Sequence, residues 1–354
     1  MQRRDFLATS LAAVAGASTL HSADTAPRIK VGQIGTSHGH AAGKMSALRK
    51  LPEIYEVIGI VEPDPEARAR AEKSSAYEGL RWLSEQELLE TPGLKAVAVE
   101  TEVKDLLATA GRCVAAGQHV HLDKPAGESL PQFKALLEAA KEKNVVVQLG
   151  YMFRYNPAFR FLYRAVREKW LGAVFEVHAV MSKQVGPAER KELAVYPGGS
   201  MFELGCHLID SLTTLMGRPD RIMPFNRATH PDRDPLVDNQ LAVFEYPNAT
   251  ATIRSSMLEP FGGERRHFTV CGEEGVIEIA PLEPPKLQMA LLKPREGFKR
   301  GWQDVTIPKP AGRYDEEFRA LARMIRGERQ PDWKTEHDLL VQESVLAACG
   351  LPTT

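Results

Sequence analysis

Two stretches carry side chains whose types and spacing suit proton transfer at a bound small molecule. The first is His119-Val120-His121-Leu122-Asp123-Lys124-Pro125, in which Val120 and Leu122 predict a short strand that stops at Lys124, just before the helix-start signal Gly127-Glu128-Ser129. Ligands of open α/β sheets bind at the carboxyl ends of strands, so an ammonium there faces a cofactor or substrate; the alternative is a solvated lysine in a β-to-α turn. The second is a predicted helix from Met201 to Met216, entered through Tyr196-Pro197-Gly198-Gly199-Ser200. On it Glu203, His207 and Asp210 fall at i, i+4 and i+7 and share one face, which either meets solvent or lines a cleft. A histidine titrates in the range useful to a general base, and a lysine beside it stabilises alkoxide character. That is the chemistry of drawing a proton from a secondary alcohol. Neither Glu203 with His207 nor His38 with His40 brings a convincing third ligand, so no metal site is expected.

The elements that must position these residues begin with a strand over Arg28 to Ile34, the turn Gly35-Thr36-Ser37-His38-Gly39-His40 and a helix from Ala41 to Leu51. A strand, a glycine turn and a helix amino terminus form a pyrophosphate cradle, because free N–H groups and the helix dipole point at the anion. Ser37 and His40 stand where a strict G-x-G-x-x-G pattern has glycine. The apolar strand Val57 to Val61 ends in Glu62, a carboxylate placed to accept the ribose hydroxyls of an adenosine, which favours NAD; Arg68 and Arg70 leave NADP open. The pattern repeats through a helix from Ser84, the strand Ala96 to Val99, a helix from Val103 to Ala116, the strand into Lys124, a helix from Pro131 to Lys143 and the strand Val145 to Leu149. This alternation predicts a doubly wound parallel sheet over residues 27–150.

Residues 151–354 read differently. A helix from Pro157 to Trp170 and a strand from Ala173 to Ser182 precede the Met201 helix; strands follow at Leu241 to Tyr246, Ala249 to Met257, His267 to Gly272 and Val276 to Ala280. Helices at Asp315 to Arg326 and Glu336 to Ala348 close the chain. The expectation is an α+β domain with an open, mostly antiparallel sheet. At 354 residues two domains are expected, and a formal net charge of -1 gives no electrostatic reason for nucleic acid or an anionic membrane as partner. Cys113, Cys206, Cys271 and Cys349 show no paired spacing and are expected as buried thiols. Residues 1–26 carry Arg3-Arg4-Asp5-Phe6-Leu7 and an alanine-rich apolar run to Leu20, the pattern of a twin-arginine export signal, which implies a periplasmic or other extracytoplasmic location and no membrane span once it is removed.

Taken together, the glycine turn, Asp123-Lys124-Pro125, Arg154-Tyr155-Asn156-Pro157 and the run Gly198-Gly199-Ser200-Met201-Phe202-Glu203-Leu204-Gly205-Cys206-His207-Leu208-Ile209-Asp210 resemble the Gfo/Idh/MocA oxidoreductases, from about Ile29 to the last helix. The resemblance implies a Rossmann domain holding NAD, or NADP, at Gly35, Thr36, Ser37, His38, Gly39, Glu62, Thr101 and Lys124. It implies a sugar, glycoside or cyclitol as substrate, Lys124 polarising the reacting hydroxyl, His207 as proton acceptor, and Asp210 positioning the substrate or that histidine. Glu203 stands where many relatives have aspartate. Arg154, Tyr155 and Asn156 are candidates for touching substrate or nicotinamide, with a role at the domain junction as the alternative. Glu102, Val103 and Leu106, after Thr101, replace residues that normally lie under the nicotinamide. A homodimer or tetramer through the second sheet is implied as well. Three functions follow from these features: an NAD(P)-dependent oxidoreductase; a hydrolase, lyase or epimerase cycling tightly bound NAD; and a sugar-binding protein with a degraded nucleotide site.

Overall fold

The computed structural model describes residues 26–354; the expected export segment, but for Ala26, lies outside the described residues. Five strands, β1 (Ile29–Ile34), β2 (Tyr55–Val61), β3 (Leu94–Val99), β4 (His119–Leu122) and β5 (Val147–Leu149), form a parallel sheet in the order β2-β1-β3-β4-β5. Helices α1 (Ala41–Arg49), α2 (Pro65–Ala71), α3 (Glu85–Leu89), α4 (Val103–Ala115) and α5 (Leu130–Glu142) connect them. Strand order reverses between β1 and β3, and at such a switch point the carboxyl ends part to leave a crevice. The strands are short and almost wholly buried; in β3, Ala96, Val97, Ala98 and Val99 are each fully enclosed, as expected where helices cover both faces.

After α6 (Pro157–Arg167), which buries Ala158, Phe159, Leu162, Tyr163 and Ala165, comes β6 (Val174–Ser182), then α7 (Pro187–Leu193) and α8 (Cys206–Met216). Strands β7 (Arg221–Arg227), β8 (Asn239–Tyr246), β9 (Ala249–Ser256), β10 (His267–Gly272), β11 (Gly275–Leu282), β12 (Pro285–Leu291) and β13 (Gly301–Val305) join β6 in an eight-stranded sheet ordered β13-β12-β11-β10-β6-β9-β8-β7. Only β6 and β9 pair in parallel. Along β8, Gln240, Ala242, Phe244 and Tyr246 are buried while their neighbours are less so, the alternation of a sheet covered on one face. The sheet is wider than the sequence suggested, because β7, β12 and β13 carry proline or glycine and little continuous apolar pattern.

The last two helices, α9 (Asp315–Ile325) and α10 (Thr335–Ala348), reach the first domain as well as the second: the Tyr55 hydroxyl donates to the Phe318 carbonyl at 2.6 Å, Gln342 bonds Ala126 N at 3.1 Å and Gly127 O at 2.7 Å, and α10 also packs against α8 and β7. Among the described residues all four cysteines are free, three of them buried and Cys271 partly exposed.

Candidate active site

The dinucleotide turn is set by a glycine. Gly35 has φ +92°, and a Cβ there would stand 2.5 Å from Thr101 N and 2.6 Å from Glu100 C, so the turn lies flush against the end of β3. Gly35 N donates to Val61 O at 2.8 Å and His38 N to Glu100 O at 3.1 Å, which ties the turn to β2 and β3 together. Gly39 faces open space, with nothing within 4 Å of where a Cβ would lie. Thr36, Ser37, His38 and Gly39 line one end of a cleft of about 830 Å³, together with Arg70 and Ser74, and the cleft runs on to Lys124 and His207. A glycine-set turn, an open backbone face and an extended polar cleft fit a dinucleotide.

Two residues expected at the cofactor, Glu62 and Thr101, do not line the cleft. The Glu62 carboxylate is engaged by the turn itself: Oε2 accepts from Thr36 N and from Thr36 Oγ1, both at 2.7 Å, and Oε1 accepts from Asp64 N at 3.1 Å. It is bonded to the turn and is not among the residues lining the cleft, where Arg70 stands. Thr101 contributes its backbone against Gly35, while its hydroxyl donates to Glu102 O at 3.2 Å; Glu102 and Val103 line the cleft in its place.

Beneath the turn is a pit of ionisable groups. Lys44 of α1 is fully buried and donates to His121 Nε2 at 2.9 Å and to Glu317 of α9. His121 Nδ1 therefore carries the ring proton and donates to Gln148 Oε1 at 3.0 Å. Burial, with Lys44 beside it, pushes His121 down to about 3. Burial likewise lifts Glu317 to about 7 against the pull of Lys44, and holds Glu100, fully enclosed next to Asp123, well above the usual carboxylate range. For Asp123 burial works the same way but loses to His38, His40 and Lys44, which keep it well below that range. His38 and His40 both reach Asp123, the first at 2.9 Å and the second at 3.2 Å.

At the far end of the pit stand the groups suited to chemistry. Lys124 is 2% exposed and its ammonium donates to Glu203 O at 2.6 Å. His207 is 1% exposed and its Nδ1 has no hydrogen-bond partner. Its ring is packed by Phe153, Tyr151 and His40, with centroids 5.7, 6.0 and 5.9 Å away. Burial first, then the nearby Lys124, holds His207 well below its ordinary value, so the ring is a neutral base. Burial would raise Glu203, but Lys124 and Lys183 outweigh it and keep the carboxylate ionised; Lys183 lies 3.6 Å away and also bonds Glu189 at 2.8 Å. Tyr196, Arg266 and Arg313 complete this end of the cleft. The two arginines were missed in the sequence because they come from separate segments, before β10 and before α9, that only the fold brings together.

Asp210, Arg154, Tyr155 and Asn156 do not line the cleft, and the domain-junction alternative for the last three fits their contacts. Residues Met201–Gly205 form a wide π-type turn, and the α-helix proper begins at Cys206, so the single-helix spacing that put Glu203, His207 and Asp210 on one face does not hold. Asp210, fully buried, accepts from Arg154 Nε at 3.0 Å and Nη2 at 2.6 Å, while Nη2 also donates to Asp338 of α10 at 2.7 Å. The guanidinium lies 4.8 Å over the Trp333 ring. Tyr155 takes a 3.0 Å bond from Gln148, and Asn156 caps α6 by accepting from Ala158 N at 2.9 Å. These residues join the domains.

Comparison with known proteins agrees with this architecture. Residues 29–151 match the family model described as an oxidoreductase family with an NAD-binding Rossmann fold, and residues 159–278 match the GFO/IDH/MocA C-terminal domain. Among curated relatives, scyllo-inositol 2-dehydrogenase (NAD(+)) of Bacillus subtilis is 28% identical over 61% of this chain and 64% of its own length. D-xylose 1-dehydrogenase (NADP(+)) 2 of Haloferax volcanii is 27% identical over 65% of this chain and 69% of its own. The uncharacterized oxidoreductase YhhX of Escherichia coli is 27% identical, with 58% of each chain covered, so the chain spans less than two thirds of some of these relatives. Aldose-aldose oxidoreductase from Caulobacter crescentus, solved with glycerol, shares the fold at a TM-score of 0.76 and 20% identity, over 92% of this chain and 98% of that one. Both halves of the chain, the NAD-binding domain and the sheet domain behind the cleft, thus place the protein in the Gfo/Idh/MocA oxidoreductase family.

Proposed function

We propose that the protein is an NAD(P)-dependent dehydrogenase that exchanges hydride with a secondary hydroxyl of a sugar, glycoside or cyclitol. The observation that carries the proposal is the meeting, at one end of a dinucleotide-sized cleft, of the Lys124 ammonium with a neutral His207 whose Nδ1 is unpartnered. The family and the names of the inositol and xylose dehydrogenases among its relatives support the substrate class. The turn at Gly35 to Gly39 would hold the cofactor, which when bound supplies the hydride acceptor. The His207 imidazole takes the hydroxyl proton, and Lys124 stabilises the charge that develops on oxygen. Buried Phe153, Tyr151 and Phe202 keep water from the base. Lys183, Glu203, Tyr196 and Arg266 offer donors and acceptors for the remaining hydroxyls.

The test is NADH or NADPH formation by the purified protein over a panel of pyranosides and inositols. Turnover that vanishes in His207→Asn and falls in Lys124→Met supports the reading; full activity in either variant sinks the mechanism. We further propose export on the twin-arginine segment and self-association through the second sheet. Cytoplasmic retention of a tagged chain would refute the first, and a monomer by sedimentation at micromolar concentration the second.

A further inference from the structure

The sequence gives His38 and His40 no third ligand; the fold supplies one. Asp123, 83 residues downstream of His40, follows β4, one strand beyond the neighbour of β1, and His38, His40 and Asp123 each offer a donor atom within 4.8 Å of the others. We propose that they form a binding site for a divalent transition metal of zinc's class, at the wall of the cleft and beside the groups assigned to proton transfer.

Three observations carry it. The first is the spacing: His38 Nδ1 lies 2.9 Å from Asp123 Oδ2, and His40 Nδ1 lies 3.2 Å from both carboxylate oxygens. Donors held about 2.1 Å from one ion at angles near 90–110° stand about 3.0–3.4 Å apart.

The second is the protonation pattern. His38 Nε2 lies 3.0 Å from the Lys124 carbonyl oxygen, which can only accept, so that nitrogen carries the proton. His38 Nδ1, which also takes the His40 N–H at 3.2 Å, lies 2.9 Å from Asp123 Oδ2, and two such atoms at that distance share either a proton, as in an imidazolium–carboxylate pair, or a metal cation. Moreover, a ligating histidine whose second nitrogen donates to a backbone carbonyl is the support that metal sites commonly use, because it fixes the tautomer and aims the ring.

The third is access. His38 and His40 line the cleft, Asp123 does not, and the His40 ring lies 5.9 Å from that of His207. Three protein ligands with an open side toward a cleft is the pattern of a site that takes an oxygen donor, water or a substrate hydroxyl, as its next ligand. Two imidazoles and a carboxylate suit zinc, iron, nickel or manganese better than calcium or magnesium.

The test uses the whole chain, treated with chelator and titrated with Zn²⁺ by calorimetry, with NAD and NADP titrated in parallel. One ion per chain, with affinity reduced at least about 100-fold in the double variant His38→Gln, His40→Gln, supports the site. Absence of binding, or equal binding by the double variant, overturns it. Co²⁺ added to the unaltered chain needs no variant: an intense visible band supports capture by a low-symmetry site, whereas the weak spectrum of the aqua ion overturns it. The parallel titrations separate this proposal from the dehydrogenase reading. A chain that binds nucleotide and no metal overturns the metal site alone, while one that binds metal and neither nucleotide supports the site and overturns the dehydrogenase.

Discussion

Two buried ionic clusters lie on either side of α8's start, and they differ in whether their charges are already spent. In the Arg154 cluster every strong group is answered: Asp210 and Asp338 share one guanidinium, and Trp333 covers it. In the pit around Asp123 and His207 the opposite holds. His207 Nδ1, Asp123 Oδ2, Glu203 Oε2 and both oxygens of Glu100 have no hydrogen-bond donor or acceptor of their own. A satisfied cluster acts as a strut, and leaving hydrogen-bonding valences unanswered inside a protein is worth its cost only where a ligand will meet them. Burial and charge are therefore similar in the two regions, and the open valences separate them.

Matched substitutions should break the pair apart. Arg154→Met strands two carboxylates in the interior and should cost about 3–5 kcal/mol of stability, read by chemical denaturation. Nothing in that change reaches the cleft. A loss below about 1 kcal/mol would mean the cluster is not a strut. Lys124→Met should do the reverse. It removes the cation that chiefly keeps Glu203 ionised but leaves Lys183 3.6 Å from that carboxylate, so stability should fall less than in Arg154→Met, while kcat falls about 100- to 1,000-fold through the lost oxyanion donor. Retained turnover with a weakened fold would mean that Lys124 is structural as well.

The pH dependence sharpens the contrast further. Asp210 is held below the usual range, since Arg154 outweighs its burial, so it stays ionised into acid, whereas burial lifts its partner Asp338 above that range. Glu317 in the pit is lifted from 4.5 to about 7. Between those values the folded chain holds a proton that the unfolded chain has released. Its contribution to stability is therefore full below pH 4.5 and lost as pH rises toward 7, by up to about 1.4 kcal/mol per pH unit. Denaturation of the wild type and of Glu317→Gln across that window should show the difference between them shrinking in that direction. Parallel curves would mean that Glu317 is ionised throughout.

How much of this was legible in the sequence follows the range of the interactions. The five parallel strands and their helices other than α2 were readable, because short apolar runs such as Val97 to Val99 and a capped start such as Ser84, whose hydroxyl accepts from Glu87 N, are local signals. Lys124 and His207 were readable for the same reason, each sitting at the end of a local pattern. What was hidden was non-local or against the pattern. The wide turn at Met201–Gly205 looks in sequence like one more turn of α-helix, so the phase of Glu203 relative to His207 and Asp210 is not readable. The meeting of His38 and His40 with Asp123 depends on β1 and β4 flanking β3, which no spacing announces. Glu62 was identified at the correct strand end, but its partner Thr36, 26 residues away, decides what it does.

That last pair gives the smallest predicted effect and separates two roles for one carboxylate. If Glu62 braces the turn, Thr36→Val removes a hydroxyl donor 2.7 Å from Oε2, leaves the backbone N–H bond in place, and loosens the cradle. One such bond is worth about 0.5–1.5 kcal/mol, so the Kd for nucleotide should rise about 2- to 13-fold, by calorimetry. The rise should be equal for NAD and NADP, because the cradle meets the pyrophosphate common to both, and Glu62→Gln should follow the same rule. If instead Glu62 accepts the ribose hydroxyls, freeing it from Thr36 should leave NAD binding unchanged or tighter. Glu62→Gln would then weaken NAD alone, since only NADP places a phosphate where the carboxylate would repel it. Equal weakening of both nucleotides identifies a brace, and unequal weakening identifies a ribose ligand that the turn merely holds until the nucleotide arrives.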